Sequence, residues 1–451
     1  MRQGLFILLT GTLMLGLSGC TSSRPMQSGN AAYLYNPQEL ALRPHFVVEH
    51  LNDTVSQVHY RLKSANLLYV RGNEGPSYQA RYALSYALTK SIESAALLDS
   101  NKSVYTDESN APPDKIIRGS FTLKTPSLST GQQHYHLQIK LRDLHRGTSF
   151  QNYIHLAKSS LNKRQYFRLT DTAGRLLYKH HLPPGVPFRL KHNSLNPAFY
   201  YVSVYDRDFP MAKPPYSDDA SPSFDIDPDT TYRVAADAVI KLPHQGFFHF
   251  RLDTSQWAGF TLRSFYPAFP FVAKRRHLAP PLRYLTTAKE YDQLSQKRGQ
   301  PKEVKQWVDR FWQNRTGSGP SAKQLIESYY ERVEQANRLF TSYLEGWKTD
   351  RGILYVIYGP PDKVFPSSSG ETWVYGNQTS SLSYVFNFTK VSNPFSDNDY
   401  ELERDRRYRF GWGKAIESWR NGYTYDSRDI RRLQDAQDQV IYNRNRSPYW
   451  Y

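Results

Sequence analysis

Three groups of side chains have the residue types and spacing that chemistry could use. Thr349, Asp350 and Arg351 are consecutive, so a carboxylate base could act beside a guanidinium that holds an anion, with the threonine hydroxyl assisting. Glu371 flanks the same predicted sheet and would pair with Asp350 as the acid and base of a hydrolase. The same residues also make ordinary turn chemistry, in which Asp350 caps backbone amides and pairs with Arg351 while Trp347 plugs the core. That structural role is the expectation, with partner binding second, and no catalytic residue is assigned. His134 and His136 project from one face of a strand, a spacing compatible with metal ligation. No carboxylate joins them between His134 and Leu141, and the next histidine is His145, so a solvated face is expected. His180, His181, His244 and His249 make no better set. Asp225, Asp227 and Asp229 alternate in a loop after Asp218 and Asp219, but they lack the glycine and closing glutamate of an EF-hand. A solvated acidic loop is expected there. No Gly-rich phosphate cradle, G-x-S-x-G elbow or H-E-x-x-H occurs. Neither a metal nor a cofactor is expected.

Cys20 is the only cysteine, and its surroundings explain it. Arg2 gives a positive start, Leu5 to Leu17 is a short apolar run, and Leu17-Ser18-Gly19-Cys20 closes it with small residues. The run is too short for a stable transmembrane helix, so a cleaved export signal over residues 1–19 is expected. The pattern resembles a bacterial lipobox. The resemblance implies cleavage before Cys20 and lipidation of its sulfur, with enough acyl chain for stable membrane anchoring. No cysteine then remains for a disulfide, so each domain relies on its own core. Thr21 follows, with neither an inner-membrane retention aspartate nor an acidic surface-export cluster. The outer membrane facing the periplasm is expected, with the cell surface as the alternative.

The elements that position the first group come from the most tightly specified stretch in the chain, Gly346 to Asp362, G-W-K-T-D-R-G-I-L-Y-V-I-Y-G-P-P-D. Ile353 to Tyr358 is apolar or aromatic at every position, which predicts a strand buried on both faces. Gly359-Pro360-Pro361-Asp362 ends it, because prolines cannot donate to a ladder. Gly346 and Gly352 bracket a tight turn through Trp347, Thr349, Asp350 and Arg351. With Trp347, Thr349, Asp350, the apolar run and the G-P-P-D turn in order, the stretch resembles the GWxTD-domain family. That family is found largely in Bacteroidetes-type bacteria and is often lipid-anchored. The resemblance covers the last third of the chain and implies no reaction.

A chain of 451 residues exceeds one core, which predicts about two to four domains. A net charge of +17 favours acidic partners such as lipid head groups, anionic polysaccharide or acidic proteins. Nucleic acid is not expected, since no basic run exceeds Lys274-Arg275-Arg276-His277 and the expected location lies outside the cytoplasm. Aromatic residues make up 14%, mostly tyrosine, which suits sheet surfaces and wet binding faces. Arg404 to Tyr408 and Arg444 to Tyr451 could form a protein or glycan contact, although Arg406, Arg407 and Arg409 against Glu401, Glu403 and Asp405 also make a self-paired helix surface.

Residues 20–44 read as a tether. From 45 to 160 the period is two: Tyr135, Leu137, Ile139 and Leu141 share a face, as do Ala80, Tyr82, Leu84, Tyr86 and Leu88, and Ile116 to Leu123 is a further strand. From 161 to 277, Tyr166 to Leu169 and Arg175 to Tyr178 flank a hairpin-like turn at Asp171 to Gly174, with further strands at 199–205, 238–242, 247–252 and 260–265. Two antiparallel β-sandwich modules of immunoglobulin-like size are expected, serving as spacer and contact surface. From 285 to 451 an α+β domain is expected. There Thr287 and Glu290 form a capping box, Pro301 opens a helix, and Ser321 caps the next, whose stripe is Leu325, Tyr329, Val333, Ala336, Phe340 and Leu344. Strands at 353–358, 372–375 and 383–388 follow, then a helix through Trp412, Ile416 and Trp419 and a last one from Ser427. Together these features predict a non-enzymatic, lipid-anchored envelope protein that binds an envelope protein partner. The alternatives are a binder of anionic glycan or peptidoglycan and an envelope hydrolase.

Overall fold

The computed structural model describes residues 29–36, 40–71, 77–111, 114–126, 134–218, 226–316, 319–382 and 384–445, with side chains to 442. They form a multidomain chain of several antiparallel sheets with helices, and the α-helices all follow residue 287. Cys20 and the export-signal residues lie outside the described residues. Among the described residues no helix is long and apolar enough to cross a membrane.

The first region holds β1 (His45–His50), β2 (Val55–Lys63), β3 (Val70–Arg71), β4 (Tyr78–Thr89), β5 (Leu97–Ser109), β6 (Ile116–Lys124), β7 (His134–Asp143) and β8 (Ser149–Ala157). One sheet is ordered β1-β2-β6, the other β3-β4-β7-β8 with β5 also on β4. Alternation puts one face of each strand inward: Val58, Tyr60 and Leu62 of β2 share a core with Tyr82, Leu84, Leu88, Tyr135, Leu137 and Ile139. The second region holds β9 (Phe167–Thr170), β10 (Pro187–His192), β11 (Phe199–Tyr205), β12 (Thr230–Ala235), β13 (Ile240–Lys241), β14 (Gly246–Arg251) and β15 (Phe260–Ser264). Its sheets, β13-β10-β9 and β12-β11-β14-β15, cover a core that includes Phe188, Leu190, Val202, Phe248 and Leu262. The Asp171–Gly174 turn is present, with Gly174 at φ +80°. Arg175 to Tyr178 is not the expected strand, since only a bridge between Thr170 and Leu176 forms. Tyr178 instead reaches the first region, where its hydroxyl donates to the Tyr60 carbonyl at 3.2 Å.

The third region holds α1 (Ala288–Ser295), α2 (Pro301–Thr316), α3 (Gly319–Phe340) and α4 (Asp350–Tyr358), then β16 (Lys363–Pro366), β17 (Gly370–Val374), β18 (Val385–Lys390), β19 (Tyr400–Leu402), α5 (Tyr408–Arg420) and α6 (Ser427–Asn445). The strands form one antiparallel sheet in sequence order. Thr287 and Glu290 form the capping box of α1. Ser321 is not a cap, because α3 already begins at Gly319, and Leu344 lies beyond its end.

The largest correction concerns Ile353 to Tyr358, which is the body of helix α4 and not a strand. All nine residues of α4 are buried. A helix surrounded on every side has no polar face, so its 3.6-residue period leaves no trace in the sequence. Its ends do leave a trace. The Thr349 hydroxyl accepts from the Gly352 amide at 3.0 Å as an N-cap, and Gly359, at φ +83°, donates its amide to the Tyr355 carbonyl at 2.8 Å.

The tether expected over 20–44 also differs. Ala32–Tyr35 is a 3₁₀ turn inside the core of the third region. The Ala31 amide donates to the Val364 carbonyl at 2.8 Å, and the Val364 amide donates to Asn30 Oδ1 at 2.9 Å, so the segment lies along edge strand β16. Its burial depends on contacts over 300 residues away in sequence, which local composition does not encode.

Candidate functional site

Two glycines allow the Trp347 turn to exist. A Cβ on Gly346 would stand 1.8 Å from the Ala336 carbonyl oxygen of α3, and one on Gly352 would stand 1.8 Å from the Gly346 carbonyl oxygen. The 3₁₀ turn Gly346–Lys348 is therefore wedged between α3 and the first turn of α4. Thr349 closes it: its hydroxyl donates to the Gly346 carbonyl at 2.8 Å while capping α4. Trp347 is 3% exposed, with its ring edge-on to Tyr284. The second region also touches this turn, since the Ala212 amide donates to the Lys348 carbonyl at 2.7 Å.

Asp350 and Arg351 leave the start of α4 in different directions and do not pair with each other, contrary to expectation. Asp350 turns to β19, where it accepts from the Leu402 amide at 2.9 Å and from Arg404 Nη2 at 2.5 Å. Burial pushes its carboxyl above the ordinary aspartate value, opposed by Arg404 and the Leu402 amide. Arg351 turns to β17, meeting Glu371 at 3.4 Å and donating to the Asn398 carbonyl at 3.1 Å, with its guanidinium 3.8 Å from the Tyr400 ring centre. Glu371 also accepts from the Tyr35 hydroxyl at 2.7 Å and from Trp373 Nε1 at 2.9 Å. Each carboxylate thus has its own buried arginine. Asp350 and Glu371 do not face a shared point where a substrate atom could sit, as acid–base catalysis requires.

The G-P-P-D turn is likewise used internally. The Gly359 carbonyl accepts from the Tyr375 hydroxyl at 2.9 Å. Pro360 and Pro361 have no amide to satisfy, and Asp362 accepts from the Gly376 amide at 2.7 Å. Asp350, Arg351, Gly359 and Asp362 thus all make contacts between α4 or its ends and the sheet.

Other candidates disperse. Tyr408 is buried and the Arg404 side chain is only 9% exposed, while Arg406 reaches Asp218 at 2.6 Å. Side chains from 443 onward lie outside the described residues, as do Asp219 and Asp225. Asp229 pairs with Arg207 at 3.1 Å. His249 is fully buried between Thr261 Oγ1 at 2.8 Å and the Trp257 carbonyl at 2.7 Å, a core role. His134 is exposed, as expected of a solvated face, and His136 is half-buried. They line a cavity with His155, which the sequence left unmarked because it lies on the neighbouring strand, opposite His136.

Near the Arg351 site, burial lifts the Asp399 carboxyl to about 6, with Asp350 adding to it and Arg351, Asn393 and Arg263 opposing. An acid with a higher pKa folded than unfolded makes the folded state bind more protons between the two values. Stability therefore falls as pH rises from about 4 to about 6 and is level above. The shift amounts to about 3 kcal/mol. Urea titrations at pH 4.5 and 7 should show Asp399→Asn losing this part of the slope. An unchanged slope would refute it.

Residues 246–421 match the model of a family described as the GWxTD domain. The match runs from the first residue of β14 to just past α5. No curated protein matches the chain. Among solved structures, a glycosyl hydrolase family 2 member from Bacteroides cellulosilyticus aligns at 9% identity and a TM-score of 0.18, over 35% of this chain and 18% of that one. The chain thus spans under a fifth of that enzyme, and a likeness this slight carries no argument.

Proposed function

Because the chain carries a GWxTD domain over residues 246–421, we propose that it is a non-enzymatic, lipid-anchored envelope protein whose GWxTD domain is the interaction module of an envelope assembly. The observation that carries the proposal is the disposition of the acidic groups. Asp350 and Glu371 are held by separate buried arginines, whereas a hydrolase needs both to face one substrate. The lipobox-like Leu17 to Cys20 supports acylation of Cys20 at the outer membrane, facing the periplasm. The regions 45–160 and 161–277 serve as contact surfaces, and paired sheets over one core in each support an immunoglobulin-like sandwich.

Cys20→Ala should move the protein from the membrane to the soluble fraction. Crosslinking in intact cells should recover one recurrent envelope protein with the wild-type chain. Failure to recover any recurrent envelope partner overturns the proposal. So does a hydrolytic activity that Asp350→Asn abolishes while leaving the fold intact.

A further inference from the structure

A cavity of about 510 Å³ opens where the three regions meet. The β7–β8 ladder contributes His134, His136 and His155, the link into the second region contributes Lys163 and Arg164, and the end of β18 contributes Lys390. Lys90 stands at the rim, and among the described lining residues Asp397 is the sole carboxylate. Four basic side chains against one acid make a strongly electropositive hollow.

The donors in this hollow are not satisfied from within. Arg164 Nη2 and His155 Nδ1 are buried without a hydrogen-bond partner, a state native proteins avoid unless something else fills the site. Behind Arg164 lies Arg263, 3% exposed, with its Nε also unpartnered. The two guanidiniums repel each other and are only partly offset by Asp397 and Asp399. Burial first, then Lys390 among other charges, holds all three imidazoles below their ordinary values. At neutral pH they therefore offer N–H donors and no charge. Their rings are spread, with centroids 5.1 Å apart for His134 and His155 and 5.4 Å apart for His136 and His155. Among the described residues no trio is placed to hold a metal.

These features fit an anion with more charge and more oxygens than a carboxylate. A phosphomonoester carries about −1.5 to −2 at pH 7 and three strong acceptor oxygens. The space exceeds what the phosphate fills, and Ser91, Gln165, Ser369 and Ser392 give the remaining wall a hydroxyl and amide lining suited to a polyhydroxylated body. We propose that this cavity binds a sugar phosphate, with Arg164, Lys390 and His155 on the phosphate. The site stands independently of the scaffold function above. Because its walls come from all three regions, an occupant would tie them together.

Calorimetric titration of the purified protein with glucose 6-phosphate, inorganic phosphate, glucose and glucuronate tests the assignment. Glucose 6-phosphate should bind at least tenfold more tightly than glucose or glucuronate. Lys390→Gln and Arg164→Gln should each weaken it at least tenfold, with folding checked by thermal melts, and Lys163→Gln, at a third position on the wall, should also weaken it and covers the case in which these fail to fold. Sedimentation with vesicles containing phosphatidic acid, abolished by the variants, would assign the phosphate to a lipid head group. No sedimentation would assign it to a soluble or glycan-borne phosphate. Equal or tighter binding of glucuronate, absence of phosphomonoester binding, or folded variants that bind as the wild type would each overturn the proposal.

Discussion

Gly352→Ala is expected to leave the third region unfolded. The added Cβ would lie 1.8 Å from the Gly346 carbonyl oxygen, 2.8 Å from its carbon and 3.0 Å from Trp347 Cα, all backbone atoms with no rotamer to relieve them. The turn cannot retreat, because Gly346 is itself against α3, where a Cβ would meet the Ala336 carbonyl carbon at 2.5 Å. Overpacking that must move backbone belongs to the rare class of substitutions costing more than about 4 kcal/mol, a large share of the about 5–15 kcal/mol that holds a domain folded. Gly413→Ala in α5 is the control, since its Cβ would meet nothing within 4 Å; it should stabilise by about 0.5–1 kcal/mol. Circular dichroism and thermal melts check both. A Gly352→Ala protein that melts like the wild type would show that α3, the turn and α4 are not packed as described.

Asp350→Ala should cost about 3–5 kcal/mol, the range for breaking a buried ion pair from one side. Arg404, whose side chain is 9% exposed, would keep its charge away from water without a counter-ion, and the Leu402 amide would lose its acceptor. Arg404→Ala should cost a similar amount. The double variant should cost clearly less than the sum of the two, because no lone charge is then left buried. Arg406→Ala offers the contrast: its pair with Asp218 is 82% and 63% exposed, and its loss should leave the unfolding midpoint nearly unchanged. Urea denaturation of the four variants measures these differences. A loss below 1 kcal/mol for Asp350→Ala would mean that water reaches the pair.

Much of the architecture was legible where one face of an element meets solvent. β7 announces itself through Tyr135, Leu137, Ile139 and Leu141, and α3 through Leu325, Tyr329 and Val333, because polar residues between them mark the period. Helix α4 was misread because it has no such residues, although Thr349, Asp350 and Gly359 carry the start and stop signals of a helix. The turn around Trp347 was legible as a motif, but the partners of Asp350 and Arg351 were not readable. Arg404 and Glu371 come from other elements, and only the folded sheet brings them to the two ends of one short turn. His155, Arg164 and Lys390 were missed for the same reason, each standing on a different element of the cavity wall.

The insertion of Asn30 to Tyr35 beside β16 limits how far this molecule can reach. Ten residue-to-residue steps lead from Cys20 to Asn30, and an extended chain covers at most about 3.3–3.6 Å per step. If Cys20 carries the lipid, the GWxTD domain is on a leash of about 35 Å, close to the head groups. The two β regions then cannot be a stalk that lifts it away from the bilayer; they hang beside or beyond it. Any protein it recruits would have to be met at the membrane surface.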